Sequence, residues 1–121
     1  MLRKKLPDTR AGQTHKIIIV DPQAGGYELY ITANRHEDGT LGEVFLGVGK
    51  PGSTLQGMLD GSAIRLSLGL QYGVPLEKVI AKFSGQSFSP SGKTKDADIP
   101  ECSSLLDCVV RHLELLASEG R

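Results

Sequence analysis

From Leu55 onward apolar residues recur at steps of three and four, and Leu55, Met58, Leu59, Ala63, Leu66 and Leu70 fall on one helix face. Ile64 and Leu68 widen that stripe, which predicts a long helix over Ser53–Tyr72 covered on more than one side. Upstream the period changes to two. Tyr27, Leu29, Ile31 and Ala33 alternate with Glu28, Tyr30, Thr32 and Asn34, the pattern of a half-buried strand. Lys16–Val20 is a short β-branched run that reads as a strand buried on both faces or packed under helices, and Leu41–Val48 makes a third strand. The turn clusters DPQAGG at Asp21–Gly26 and RHEDGT at Arg35–Thr40 join these strands into a meander.

After the long helix, Gly73 suits the left-handed position that closes a helix, and Pro75 opens a second one over Pro75–Phe83. A third helix is expected over Glu101–Ser118, with Leu105, Leu106, Val109, Val110, Leu113 and Leu116 on a broad apolar face. The expected fold is therefore α+β: a three-stranded antiparallel meander packed against one long and two further helices, in one domain over residues 16–121. Residues 1–15, basic and without periodicity, read as a flexible arm. Ser84–Pro100 is long for a structureless loop, which marks it as functional or mobile, with Phe88 expected to pin it to the body.

Composition narrows the class. The 121 residues are 39% hydrophobic and 23% charged, enough for one core, and 14 basic side chains balance 14 acidic ones. No net field favours nucleic acid or an anionic membrane, and no apolar run reaches a bilayer-spanning length. Two cysteines and no secretion signal predict a reducing cytoplasm.

Candidate chemistry concentrates at one turn. Gly47–Thr54 (GVGKPGST) leads from a strand into the long helix, so main-chain N–H groups and the positive helix end converge there. Gly49, Lys50, Gly52, Ser53 and Thr54 are the candidate phosphate ligands, with Arg35, Arg65 and Tyr72 as secondary candidates for the rest of a nucleotide. The spacing matches neither a Walker A loop nor a dinucleotide fingerprint, and the simpler reading is a connector with a good helix cap. Cys102 and Cys108, six apart, would stand about 120° from each other on a helix and read as separate small residues rather than a redox or zinc pair. His15, His36 and His112 share no metal-ligand spacing, and no nucleophile, base and acid can be assembled. No independent catalysis and no metal are expected.

The strings LGEVFLGVGKPGST (Leu41–Thr54), IRLSLGLQYGVPLE (Ile64–Glu77), KFSGQSFSPSGKT (Lys82–Thr94) and the stretch Ile99–Leu113 resemble, in order and spacing, adenosylcobalamin-dependent (class II) ribonucleotide reductases. The resemblance is to the region near their C-terminus called the TSCPD domain, and it covers residues 27 to 116. It implies a chain that binds no cofactor itself, because the family's adenosylcobalamin, thiyl cysteine and substrate sit in a barrel absent here. It transfers no catalytic role to Cys102 or Cys108. Two functions follow as expectations. One is a stand-alone or accessory piece of a ribonucleoside-diphosphate reductase, partnered with its catalytic subunit in deoxyribonucleotide synthesis. The other is an independent, oligomeric nucleotide-sequestering protein using the Gly-rich turn. The wide apolar helices predict a homo-oligomer, with no membrane and no specific nucleic-acid partner.

Overall fold

The computed structural model describes residues 2–23, 25–49, 53–88 and 90–119, with Ser53 described by its backbone alone. Three long strands come first: β1 (Gly12–Asp21), β2 (Gly25–Arg35) and β3 (Leu41–Val48). They pair antiparallel through tight turns, as the alternating pattern and turn residues require. Gly25, at φ 87°, supplies the left-handed residue that closes the first hairpin, and the Asp21 carboxylate holds the turn by accepting from the Gln23 N–H at 2.8 Å.

Helix α1 (Ser53–Gln71) follows, then α2 (Leu76–Phe83), two short strands β4 (Gly92–Thr94) and β5 (Glu101–Cys102), and α3 (Leu105–Glu119). The sheet runs β3-β2-β1-β4-β5, with every neighbouring pair antiparallel. The α+β class is as expected, but among the described residues the sheet has five strands rather than three. The two additions are too short for a two-residue period to show in the sequence. They form because Val20 and Ile19 of β1 still present main-chain groups to Lys93 and Thr94.

The core lies on one sheet face. Ile17, Ile19, Leu29, Ile31, Val44 and Leu46 are buried there in a single cluster with Leu59, Ala63 and Leu66 of α1 and Leu105, Val109 and Leu113 of α3. Among the described residues no helix packs on the opposite face. Ile18 is half-buried and Val20 exposed, so Lys16–Val20 alternates and is not buried on both sides. On that open face the Thr14 and Thr32 hydroxyls pair across the strands at 2.7 Å.

Helix α1 ends in a Schellman turn at Gly73 (φ 89°): the Val74 N–H donates to Gly69 O at 2.9 Å and the Gly73 N–H to Leu70 O at 3.2 Å. The last helix starts at Leu105, not Glu101, because the Ser104 hydroxyl accepts from the Asp107 N–H at 3.0 Å and caps it there. Glu101 and Cys102 are thereby left to pair with β4.

The stretch 84–100 is ordered by main-chain bonds. The Gly85 N–H donates to Asp107, the Phe88 N–H to Ser103 O, and the Ser91 N–H to Asp21, all at 2.8 to 3.0 Å. Phe88 itself is exposed, so its ring is not the anchor. At the other end of the chain, Gly12–His15 of the expected arm belongs to β1. The Lys4 N–H donates to Gln71 O, and Arg10 pairs with Glu43 at 2.6 Å.

Candidate functional site

The Gly-rich turn leaves β3 beside Glu28. The Gly49 N–H donates to Glu28 O at 2.9 Å, and a Cβ at Gly49 would lie 3.0 Å from the Glu28 carboxylate. That carboxylate also accepts from the Tyr30 hydroxyl at 2.8 Å and pushes the phenol above its ordinary pKa. A fixed negative charge therefore borders the turn on the strand side. Thr54 is exposed in the first turn of α1. Lys50, Gly52 and the Ser53 side chain lie outside the described residues.

The secondary candidates stand elsewhere. Arg35 pairs with Leu41 at the far end of β3, and its guanidinium donates to Gly39 O and Leu116 O, both at 2.8 Å. It thus caps the carbonyl end of α3 and ties it to the second hairpin. Tyr72 follows the last residue of α1, about 27 Å along the helix from Thr54. Arg65 sits midway on the solvent side of α1. The fold places Gly49 and Thr54 at one end of the α1–β3 layer and Arg35 and Tyr72 at the other.

Two clefts flank that layer. The first, about 470 Å³, opens between β3 and α1 and is lined by Phe45, Ile64 and Leu68 with Arg3, Glu43 and Asp60. The second, about 430 Å³, lies between the second hairpin and the start of α2, and Lys4, Arg35, His36 and Asp38 supply its polar wall. Its charges are largely matched. Lys4 pairs with Asp38 at 2.7 Å, and this bond together with those from Thr40 holds the Asp38 carboxyl well below the usual carboxylate range.

Two clusters form that residue spacing could not reveal. His15 and His112 stack with ring centroids 4.5 Å apart, and His15 Nε2 lies 2.7 Å from Asp96. Burial first, then the charge of His15, pushes the His112 imidazole below its ordinary pKa. Cys102 and Cys108 are both buried, and each thiol shifts the ionisation of the other. The Cys108 thiol draws Cys102 down in pKa, while Cys102 and burial push Cys108 up. Cys102 lies on β5 rather than on the helix, so the 120° helical separation does not describe the two residues. Among the described residues no group of three His, Cys, Asp or Glu side chains is placed to hold a metal ion, and no helix is long and apolar enough to cross a membrane.

The sequence profile of the TSCPD domain matches residues 3–117. A vitamin B12-dependent ribonucleotide reductase of Streptomyces avermitilis is 46% identical over 114 residues, covering 94% of this chain and 11% of the relative. The reductase of Rhodopirellula baltica is 40% identical over 118 residues, with 98% and 11% covered. That of Bradyrhizobium diazoefficiens is 39% identical over 112 residues, with 92% and 8% covered. This chain thus spans about a tenth of the length of these curated relatives. No solved structure matches it. Nearly every described element, from the segment docked on Gln71 to the body of α3, falls inside the matched stretch, and the chain belongs to the TSCPD domain family, related to the vitamin B12-dependent ribonucleotide reductases.

Proposed function

We propose that this domain serves adenosylcobalamin-dependent ribonucleotide reduction as a non-catalytic companion of the catalytic barrel, working in the cytoplasm in deoxyribonucleotide synthesis. The observation that carries this reading is coverage: 94% of the chain aligns at 46% identity with a small part of a reductase. The arrangement of side chains fits a companion better than a catalyst. The two thiols are buried, and among the described residues the one hydrogen-bonded His–Asp contact lies between β1 and the 95–99 turn, outside both clefts. The clefts, about 470 and 430 Å³, are of a size for a small molecule and far below what adenosylcobalamin would fill. These residues do not fit the cofactor.

The test uses a related reductase truncated before its own TSCPD stretch. Titrating this chain into it by calorimetry is expected to show saturable binding, and the truncated enzyme should gain deoxynucleotide output when the chain is added. Absence of binding at high micromolar concentration overturns the reading. The rival, a free-standing nucleotide-sequestering protein, predicts instead a large thermal shift with one class of nucleotide that is lost in Lys50→Ala, since a ligand of the native state stabilises by RT ln(1 + [L]/Kd).

A further inference from the structure

We propose that the solvent face of α1 is a self-association surface, on which a second copy of this chain pairs its own α1 in parallel about a two-fold axis. The fold already uses two sides of this helix: Leu59, Ala63 and Leu66 enter the core, and Gln56, Ser67 and Gln71 bond the edge of β3. A third side still carries large apolar groups. Ile64 is 60% exposed and Leu68 39%, and Phe45 of β3, 55% exposed, lines the same cleft. Isolated exposed apolar residues are ordinary on a protein surface, but three lining one groove mark an interaction site.

Spacing and charge identify the occupant. Gly57, Gly61, Ile64 and Leu68 recur at four, three and four residues, the seam spacing of a two-stranded coiled coil. A Cβ built at Gly57 or Gly61 meets nothing within 4 Å, so another backbone can approach there. Asp60 flanks this seam on one side and Arg65, five residues later, on the other, both exposed. Parallel two-stranded pairing sets opposite flanks against each other at a five-residue offset, which brings Asp60 to Arg65 of the second copy, twice by symmetry. Antiparallel pairing would instead set like flank against like and place Asp60 near Asp60.

The cleft beside Asp60 is shaped for that contact. Phe45, Ile64 and Leu68 line it together with Asp60, so an incoming guanidinium would meet an aromatic ring and a carboxylate. Asp60 accepts through Oδ1 from Gln56 at 2.7 Å, which orients it, and Glu43 is already matched by Arg10 and Asn34. Asp60 is thus the carboxylate the cleft offers to a second copy's Arg65. This surface stands whether or not a reductase chain docks elsewhere on the domain.

Sedimentation equilibrium over a concentration series provides the test. The wild-type chain is expected to show a monomer–dimer equilibrium. Arg65→Asp and Asp60→Arg should each raise the dissociation constant by roughly tenfold or more, and the double swap should recover most of that loss. Ile64→Glu, at a site already exposed, should give a folded monomer with an unchanged circular dichroism spectrum. Gly61→Cys should cross-link with itself under mild oxidation, because the two-fold axis places the position opposite its own copy. A monomeric wild type, a double swap no better than the single variants, or a Gly61→Cys chain that resists cross-linking would each overturn the proposal.

Discussion

The Ser67 hydroxyl on α1 serves both main-chain groups of Val44, accepting from its N–H at 2.9 Å and donating to its C=O at 3.1 Å. Val44 sits on β3, whose outer edge would otherwise offer bare peptide groups to another strand. Gln56 and Gln71 extend the same arrangement. Gln56 accepts from Val48 N–H at 3.1 Å and donates to Leu46 O at 3.0 Å, and Gln71 donates to Gly42 O at 2.9 Å. Positions 56, 67 and 71 lie on one helix face, so α1 acts as a sixth strand in hydrogen bonding while remaining a helix.

Ser67→Ala removes a donor and an acceptor at once and leaves Val44 with two unpaired half-buried groups. A loss of about 1–3 kcal/mol is expected in urea unfolding. The Val44 amide should also exchange faster with deuterium, and an unchanged exchange rate would show that water replaces the hydroxyl at no cost.

Gly42 is packed beneath the buried His36 ring, and a Cβ there would collide with the imidazole. Gly42→Ala should therefore destabilise by about 1–3 kcal/mol through displacement of His36 and the second hairpin. Gly57→Ala, where the added atom meets nothing, is the matched control: it should preserve or slightly raise helix stability in the monomer.

Asp107 is the clasp of the segment before β4. Its carboxylate accepts from the Gly85 N–H at 2.8 Å and the Ser103 N–H at 3.1 Å, with Arg111 at 3.5 Å. Burial works against its charge, yet these donors hold its pKa below the usual carboxylate value. Asp107→Ala should free Gly85 and Ser103 for rapid amide exchange and lower stability by about 1–3 kcal/mol. Exchange unaltered at Gly85 would mean that the segment is held instead by the Ser103 hydroxyl, which donates to Gln86 O at 2.6 Å.

Acid sensitivity should arise at His112. Its Nε2 is buried without a hydrogen-bond partner among the described residues, while His15, Asp96, Asp98 and Glu119 supply the surrounding charge. Because the folded pKa is depressed, the unfolded chain takes up this proton first. The stability this site contributes is complete above the ordinary histidine value of about 6.5 and falls as the pH drops below it, until the folded imidazole also protonates. Asp96, which burial opposes but the His15 contact holds low, adds a further loss only in the carboxylate range. His112→Phe keeps a ring against His15 and removes the titration, so the fall in melting temperature between about pH 7.5 and pH 5.5 should shrink. An undiminished fall would place the acid-sensitive group elsewhere.

Local pattern was enough to reveal three strands, three helices and the Schellman glycine, though not that β1 begins at Gly12 or that α3 begins at Leu105. Each of these is dictated by residues within a few positions: alternation at Tyr27–Asn34, three-four spacing from Leu55, a left-handed turn at Gly73. The candidate phosphate turn was legible as a strand-to-helix connection for the same reason. Its distribution in space was not: Arg35 and Tyr72 lie at the far end of the layer from Gly49 because β3 and α1 run away from the turn side by side.

Tertiary structure alone decided the rest. β4 and β5 exist because β1 has an edge to satisfy, not because Gly92–Thr94 or Glu101–Cys102 prefers to be extended. His15 meets Asp96 and His112, and Cys102 meets Cys108, through a sheet order that joins positions far apart in the chain. Gln56, Ser67 and Gln71 could be seen in the sequence only as polar interruptions of an apolar helix. A side chain's hydrogen-bonding role depends on which peptide groups another element leaves unpaired, and one element's own residues do not encode that.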